Sequence, residues 1–353
     1  MKKYVLITGS AGLIGSEAVE FFINKKFTVI GIDNNYRKFF FGKSGSVENK
    51  IIYLKKKYKN YKHYNVDLKN FQKVRNIFKK YNTKIKLIIH SAAQPSHDWA
   101  IINPIIDFDI NARSTLNLLE LFSKYASKSS FIFLSTNKVY GDRVNKLSYI
   151  EKKKRYELSK KISFHKKGIN ENFSIDHNVH SLFGVSKLSA DLYVQEYGKN
   201  LNLNTVVFRG GCLTGKNHSG TEMHGFLAYL VKNVMKNKFY KIIGYKGKQV
   251  RDNIHSSDLV NCFWQYFKRP AKGVVYNIGG GRKNSCSILK VLDILEHKLG
   301  ITIKKKFVTK CRTGDHKWWI TDFSKFKKDY PQWKIKKTLD EIIDELIYFN
   351  NQK

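Results

Sequence analysis

Residues 4–15 read Y-V-L-I-T-G-S-A-G-L-I-G, an apolar run followed by Gly9, Gly12 and Gly15. The apolar run predicts a buried strand, and the amphipathic segment 16–24 predicts a helix directly after the glycine turn. In such a unit the first glycine permits a tight turn, the second lets a pyrophosphate approach the backbone, and the third lets the helix pack closely on the strand. The stretch therefore predicts a phosphate-binding turn at the N-terminus of a helix.

An acidic residue, Asp33, follows the second predicted strand, residues 27–32. It stands about 20 residues after the glycines, where a carboxylate can accept hydrogen bonds from an adenosine ribose and repel a 2′-phosphate. The glycine turn and the carboxylate together predict a dinucleotide site that takes NAD rather than NADP. Arg37 and Lys38 come shortly afterwards and would act against this preference.

The chain has 353 residues, which is enough for about two domains. Its formal net charge of +37 comes from lysines scattered along the whole chain, so we expect a solvated basic surface and neither a nucleic-acid nor a membrane partner. The four cysteines lack C-x-x-C spacing, which favours reduced thiols in a cytoplasm over disulfides or a metal site. No apolar run approaches the roughly 18 residues of a membrane span.

Strands and helices alternate along the first part of the chain, which predicts an α/β fold with a doubly wound parallel sheet. We expect a nucleotide-binding domain over residues 1–210 with a return segment at about 251–265, and a smaller, discontinuous lobe over residues 211–353. Residues 143–177 are polar, basic and weakly periodic, which indicates an inserted surface loop. The other predicted elements are strands at 61–66, 86–90, 131–134, 204–208, 240–243 and 274–278, helices at 71–81, 104–125, 226–235 and 339–349, and a loop at 34–42.

The glycines are spaced G-x-x-G-x-x-G, and this spacing resembles the short-chain dehydrogenase/reductase superfamily. The length of the chain indicates its extended branch, in which a Rossmann domain and a smaller lobe act on nucleotide sugars. The resemblance implies that the following residues contact NAD: Gly9, Ser10, Ala11, Gly12, Leu13, Ile14, Gly15, Asp33, Asn34, Arg37, Asp67, Leu68, Ser91, Ala92, Ala93, Gln94, Asn111 and Lys187.

Residues 135–141 read S-T-N-K-V-Y-G and resemble the S-S/T-x-x-V-Y-G block of the extended branch. In that family the second hydroxyl residue hydrogen-bonds the sugar oxygen that is oxidised, and the resemblance implies this role for Thr136. A 4,6-dehydratase would carry Asp-Glu after this residue, and a UDP-glucuronate decarboxylase would carry a Glu two places on. Asn137 and Lys138 supply neither, which favours an epimerase.

Residues 180–187, H-S-L-F-G-V-S-K, open the next predicted helix. Lys187 matches the family lysine that holds the nicotinamide ribose in a Tyr-x-x-x-Lys motif, but Phe183 stands where the catalytic tyrosine should be. If the chain is a catalyst, a titratable side chain must replace that tyrosine. His180, Tyr140 and His97 are the candidates, and a histidine suits a general base at neutral pH.

The blocks G-K-Q-V-R-D-x-x-H-x-x-D, from residue 247, and N-I-G-G, from residue 277, resemble the CDP-paratose 2-epimerase family and nucleotide-sugar epimerases generally. In that family two arginines clasp the substrate diphosphate, and they correspond to Arg251 and Arg312 here. The resemblance implies that the substrate contacts are Gln94, Ser96, Thr136, Asn137, Arg209, Gly211, Arg251 and Arg312.

The resemblance implies an NAD-retaining nucleotide-sugar epimerase that oxidises a sugar carbon transiently and returns the hydride to the opposite face. We expect a cytoplasmic homodimer in carbohydrate biosynthesis, such as that of lipopolysaccharide. Two alternatives stay open. One is another dehydratase, decarboxylase or oxidoreductase of the same family, and the other is an NAD-binding protein that lost catalysis when Phe183 replaced the tyrosine.

Overall fold

The structure is a computed structural model that describes residues 3–222, 224–309, 311 and 314–352. Its strands are β1 (Tyr4–Thr8), β2 (Thr28–Ile32), β3 (Tyr61–Tyr64), β4 (Ile85–His90), β5 (Ser130–Thr136), β6 (Tyr149–Glu151), β7 (Tyr156–Leu158), β8 (Asn204–Gly210), β9 (Cys212–Thr214), β10 (Tyr240–Ile243), β11 (Val250–His255), β12 (Val274–Ile278), β13 (Ser285–Ser287), β14 (Lys305–Val308) and β15 (Trp318–Trp319).

The α-helices occupy most of the connections between these strands. They are α1 (Leu13–Asn24), α2 (Tyr36–Phe41), α3 (Glu48–Lys57), α4 (Phe71–Tyr81), α5 (His97–Ile102), α6 (Pro104–Phe108), α7 (Ser114–Ala126), α8 (Leu182–Lys199), α9 (Phe226–Met235), α10 (Ser256–Lys268), α11 (Ile288–Leu299), α12 (Ser324–Asp329) and α13 (Leu339–Asn351). No helix among the described residues has both the length and the apolar character needed to cross a bilayer.

Within the described residues, seven parallel strands form the main sheet in the order β12-β8-β5-β4-β1-β2-β3. Neighbouring side chains of a strand point to opposite faces, so Val5 packs with α1 and α10 while Leu6 packs with α4, α7 and α8. Both faces of the sheet are therefore covered by helices, as a parallel sheet requires. The predicted doubly wound α/β fold is confirmed.

The main sheet contains one more segment of the chain than the sequence indicated. Strand β12 was expected in the smaller lobe, but Val274 pairs with Val206 of β8 at the edge of the main sheet. Helix α10 packs on α1 through the same core. The returning segment thus runs on to residue 278, because an apolar strand pattern does not specify the sheet that the strand joins.

The smaller lobe follows β8 and is built around a separate apolar core. Helices α9, α11 and α13 pack together in this core, and Ile242 of β10 lies among them. Strand β11 pairs with β9, β13 and β15, so it carries the V-R-D residues along the boundary with the main sheet. The side chain of Arg251 lines a cavity together with residues of the main sheet and of the smaller lobe.

The segment 143–177 is not the surface loop that its composition indicated. It contains the hairpin of β6 and β7, and Ile169 donates a backbone hydrogen bond to Ile320 at 2.7 Å. Its apolar side chains are irregularly spaced, so they gave no periodic signal although they are buried. The buried cluster that they join includes Val144, Leu158, Ile169 and Phe173 together with Trp318, Trp319 and Ile320.

Three local predictions also differ from the structure. The helix expected over 104–125 is interrupted by a π-helical turn at Asp109–Arg113, and the loop expected at 34–42 contains α2. Helix α8 begins at Leu182 and is capped by Ser181, whose hydroxyl accepts the N–H of Gly184. His180 therefore precedes the helix, because the capping hydroxyl ends the helical geometry at Ser181.

Candidate active site

A cavity of about 460 Å³, called here the central cavity, lies at the carboxyl ends of the main-sheet strands and extends to β9 and β11. Its walls include the glycine turn, the residues after β2 and β4, the end of β5 and one side of α8. Strands β1 and β4 are neighbours in the main sheet although β2 and β3 lie between them in the chain. Ligands of doubly wound sheets bind at this kind of switch point.

The glycine turn has the close approach that a dinucleotide fingerprint requires. Gly9 has φ +64°, and a Cβ atom on it would stand 2.9 Å from the Cα of Ala92. A Cβ on Gly15 would stand 2.0 Å from the carbonyl oxygen of Gly9. Neither position admits another side chain, so the turn can present bare backbone to a pyrophosphate, and the chain fits NAD at this point.

Asp33 follows β2 directly and forms a hydrogen bond with the glycine turn. Its carboxylate accepts the N–H of Ala11 at 2.9 Å and the N–H of Asn35 at 2.8 Å, and burial raises its pKa. Arg37 donates to the carbonyl oxygen of Ser219 at 3.0 Å, and burial lowers its pKa to about 10. The lone pairs of the carboxylate that remain can accept ribose hydroxyls.

Most of the predicted cofactor contacts lie on the wall of the central cavity. These are Gly9, Gly12, Leu13, Ile14, Gly15, Asp33, Asn34, Arg37, Asp67, Leu68, Ser91, Ala92, Ala93 and Lys187. The hydroxyl of Ser10 instead bonds the hydroxyl of Tyr61 at 2.8 Å, and Ala11 contributes its N–H to Asp33. Their side chains therefore stabilise the turn.

The side chains of Gln94, Asn111 and Ser96 have hydrogen-bond partners within the protein and do not line the central cavity. The side chain of Gln94 donates to Asp107 at 2.7 Å, and that of Asn111 donates to Ser186 at 3.1 Å. The hydroxyl of Ser96 caps α5 by accepting the N–H of Trp99. These buried amides and hydroxyls hold the loop after β4 against α8, because a buried polar group needs its hydrogen-bond partners.

Thr136, Phe183 and Lys187, which the sequence predicted at the catalytic centre, all line the central cavity. Lys187 donates from Nζ to the carbonyl oxygen of Leu134 at 2.9 Å, and its Nζ lies 4.1 Å from the centre of the Phe133 ring. Burial lowers the pKa of Lys187 to about 7. The wall thus holds a hydroxyl, an apolar ring and an amine whose charge titrates near neutrality.

The three candidates for the missing tyrosine lie in different places. His180 places Nε2 2.9 Å from the carbonyl oxygen of Ile175, and Tyr140 donates to Asn277 at 2.8 Å in the core. Neither contributes to the wall of the central cavity, because these partners hold both rings elsewhere. His97 does line the cavity, and its ring centre lies 5.0 Å from that of Phe183.

Part of the cavity wall is cationic. Arg251 donates from Nη2 to Asp315 at 2.5 Å, and the Nζ of Lys138 lies 3.9 Å from the same carboxylate oxygen. Burial acts to raise the pKa of Asp315, but Arg251 and Lys138 hold it below its usual value. All three side chains line the cavity, whereas the other predicted arginine, Arg312, lies outside the described residues.

Arg209 is not part of this cationic wall. It forms a bidentate pair with Asp191, at 3.0 and 2.9 Å, and also donates to the hydroxyl of Tyr140. Charge-assisted bidentate contacts of this kind fix the guanidinium, so it stabilises the packing of α8 on β8. Asn137 and Gly211, the remaining predicted substrate contacts, do line the cavity.

Sequence reasoning missed three cavity residues with unusual chemistry. Burial lowers the pKa of Lys138 to about 8 and that of His218 to about 3, and it lowers the pKa of His224 well below the usual value. Both ring nitrogens of His218 are buried without a hydrogen-bond partner among the described residues. Isolated histidines in an aperiodic segment carry no motif, so only the folded chain reveals them.

The fold and the cavity together define a dinucleotide-binding α/β protein whose glycine turn, threonine and lysine share one wall. The chain belongs to the NAD dependent epimerase/dehydratase family, whose model matches residues 5–279. This family match confirms the predicted resemblance to the extended short-chain dehydrogenases and the prediction of NAD as the cofactor.

Among curated proteins, the CDP-paratose 2-epimerase of Salmonella typhi is 32% identical over 328 residues, which span 91% of each chain. Among solved structures, a UDP-glucose 4-epimerase of Thermotoga maritima with UDP-glucose has a TM-score of 0.78 at 25% identity and covers 99% of each chain. The UDP-glucose 4-epimerase of Thermus thermophilus, solved with NAD, has a TM-score of 0.77 at 22% identity over 99% of each chain.

Proposed function

We propose that this protein is an NAD-dependent nucleotide-sugar epimerase that inverts carbon 2 of a CDP-sugar, as the name CDP-paratose 2-epimerase describes for the relative in Salmonella typhi. One observation carries the proposal. Thr136 and Lys187 lie on the wall of the same cavity as Arg251 and Lys138. A sugar at the first pair can therefore be joined to a diphosphate at the second pair.

NAD, when bound, supplies the redox chemistry, since it accepts a hydride from the sugar carbon and returns it. The chain supplies the site: backbone N–H groups of the glycine turn hold the pyrophosphate, and Asp33 holds the adenosine ribose. Lys187, whose Nζ donates to the carbonyl oxygen of Leu134 in β5, would hold the nicotinamide ribose. Thr136 presents its hydroxyl to the sugar oxygen that is oxidised.

Arg251 and Lys138, with Arg312, hold the substrate diphosphate. In the structure Arg251 and Lys138 share the carboxylate of Asp315, so two cations face one anion. A guanidinium binds phosphate oxygens in bidentate fashion, while an ammonium acts as a point charge. Anchoring at the diphosphate alone leaves the sugar ring able to present either face after oxidation, as epimerisation requires.

The protein works as a cytoplasmic homodimer in carbohydrate biosynthesis, such as the synthesis of lipopolysaccharide sugars, without a nucleic-acid partner. Support for the dimer comes from apolar side chains on α5, α6 and α8 that are exposed in the single chain. Ile102 is 74% exposed, Ile105 is 77% exposed and Val185 is 48% exposed. These three helices contact one another, and exposed apolar side chains on neighbouring helices often mark an interaction surface.

A second function is favoured by one specific observation. The ring of Phe183 lies on the cavity wall where a hydroxyl is expected, which suits an NAD-binding protein without turnover. The other chemistries of the family, dehydration and decarboxylation, gain no support because Asn137 and Lys138 carry no carboxylate.

The proposal is tested on the purified full-length protein. Denaturation should release NAD, which mass spectrometry detects. Incubation of the native protein with a panel of CDP- and UDP-sugars should give the C2 epimer of a CDP-sugar, identified by NMR. Bound NAD without conversion of any sugar would favour the binding protein. A 4-keto-6-deoxy or decarboxylated product would favour the sister chemistries.

A further inference from the structure

Oxidation of a sugar alcohol requires a group that removes the hydroxyl proton. Phe183 has no proton acceptor, and the hydroxyl of Thr136 is too weak a base to serve alone. The replacement must reach the part of the cavity that Thr136, Phe183 and Lys187 enclose. This requirement rests on the proposed epimerase function.

His97 occupies that part of the cavity. It begins α5, is half-buried, and meets the ring of Phe183 edge-on, with ring centres 5.0 Å apart and an angle of 70°. Its Nδ1 lies 2.6 Å from the hydroxyl oxygen of Ser181. The imidazole thus borders the ring that has lost its hydroxyl, and a second residue fixes its orientation.

We propose that His97 replaces the tyrosine as the proton acceptor of the sugar hydroxyl, with Ser181 as a positioning residue. The hydroxyl oxygen of Ser181 already accepts the N–H of Gly184 at 3.1 Å, so its position is set by the start of α8. When Nδ1–H donates to this oxygen, the ring is in the tautomer whose Nε2 carries the proton-accepting lone pair.

The charges around His97 favour this role. Asp315 lies close enough to interact electrostatically, and the same carboxylate is paired with Arg251. His224 and His316 also interact with His97, and burial lowers the pKa of both well below the usual value, which favours their neutral forms. The Nζ of Lys138 donates a hydrogen bond to the carbonyl oxygen of Gly314 at 2.9 Å.

The proton balance follows directly. The sugar O–H bond breaks and its proton moves to Nε2 of His97, while its electron pair forms the carbonyl bond. The C–H electron pair leaves with the hydride, which NAD accepts. After the ketone has turned, the hydride returns to the opposite face and His97 gives the same proton back to the oxygen. Acid and base are therefore one residue.

The test compares four variants of the full-length protein: His97→Ala, Phe183→Tyr, the double variant with both changes, and His297→Ala as a control on the exposed face of α11. We expect His97→Ala to lower kcat about 100-fold or more, and the double variant to recover at least about tenfold of that loss, because the tyrosine restores a proton acceptor. Bound NAD and the affinity for CDP should be unchanged in all four.

His97→Asn, which keeps a polar side chain, serves if the alanine variant loses bound NAD. A readout independent of turnover is the imidazole NMR signal of His97. The pH midpoint of this signal should shift when the CDP-sugar binds, and the signal should be absent from the alanine variant. Full activity of His97→Ala, or a loss of activity that Phe183→Tyr does not rescue, would overturn the assignment. A wild-type protein that converts no nucleotide sugar, and a His97 midpoint that the sugar does not move, would overturn both the function and the assignment.

Discussion

The carboxylate of Asp33 accepts the backbone N–H of Ala11 at 2.9 Å, which joins the end of β2 to the glycine turn. The two elements of the dinucleotide fingerprint are therefore one rigid unit. A negative charge held in this place has little freedom to move away from a 2′-phosphate.

We expect the protein to bind NAD more tightly than NADP by well over tenfold, and each factor of ten corresponds to about 1.4 kcal/mol. Asp33→Asn should reduce this preference, because it removes the charge while it keeps the shape. Arg37→Ala should increase it, because Arg37 is the nearby cation that could pair with a 2′-phosphate. Titration of protein freed of cofactor with both dinucleotides measures the ratio, and equal affinities in the wild type would remove the assignment.

Arg251→Ala should weaken the binding of a nucleotide diphosphate by about 1.5 to 3 kcal/mol, since a charge-assisted contact is lost. Arg312→Ala should have an effect of the same size, as the sequence predicts. Bound NAD and the fold should be unaffected in both.

The matched control is Arg75→Ala, which removes a guanidinium that bonds Tyr125 on the outer side of α4. Isothermal titration with CDP measures all three variants. Unchanged affinity in both Arg251→Ala and Arg312→Ala would mean that the smaller lobe binds a different ligand.

Tyr140→Phe should act on stability rather than on catalysis. The hydroxyl bridges Asn277 at 2.8 Å and Arg209 at 3.0 Å in the core, so its removal leaves two buried polar groups without one partner each. We expect the free energy of unfolding to fall by about 1 to 3 kcal/mol. Urea unfolding measures this cost, while kcat of the folded variant should stay within a few-fold. A loss of kcat of about 100-fold at unchanged stability would place Tyr140 in the reaction after all.

Lys187 predicts a specific pH dependence for the protein without cofactor. Burial lowers its pKa from 10.5 to about 7, so between these pH values the unfolded chain keeps a proton that the folded chain has released. The free energy of unfolding should therefore rise with pH in this window, by about 1.4 kcal/mol per pH unit for one such group. As the pH falls from 10.5 to about 7 this contribution is progressively lost, and below 7 it changes no further because both states carry the proton.

Lys187→Met removes that titration. Its unfolding free energy, plotted against pH from 7 to 10, should have a smaller slope than that of the wild type. The contribution of Lys138 is present in both proteins and cancels in the comparison. Parallel curves would show that Lys187 keeps its proton in the folded chain.

The spacing of apolar residues along the sequence correctly predicted several helices and strands. The bounds expected for α4, α9, β10 and β12 coincide with the observed ones, because each carries its own apolar spacing. Residues placed by a motif, such as Gly9, Thr136 and Lys187, also lie on the cavity wall.

Side-chain directions set by distant partners could not be predicted in this way. Gln94 turns to Asp107, and Arg209 turns to Asp191, because each pair meets only after the helices have packed on the sheet. Lys138 stood at a variable position of a motif, and nothing local indicated its contact with Asp315. The irregular apolar residues of segment 143–177 were missed for the same reason, since they become a core only against Trp318 and Trp319.

The central claim is that one carbon of a nucleotide sugar is oxidised and reduced within a single site. It is tested most directly with CDP-paratose that carries deuterium at carbon 2, incubated with the protein in ordinary water and followed by NMR. The account predicts the C2 epimer with deuterium retained at carbon 2, because the hydride never leaves the site. An epimer that has exchanged its deuterium for solvent hydrogen, or no epimer at all, would contradict it.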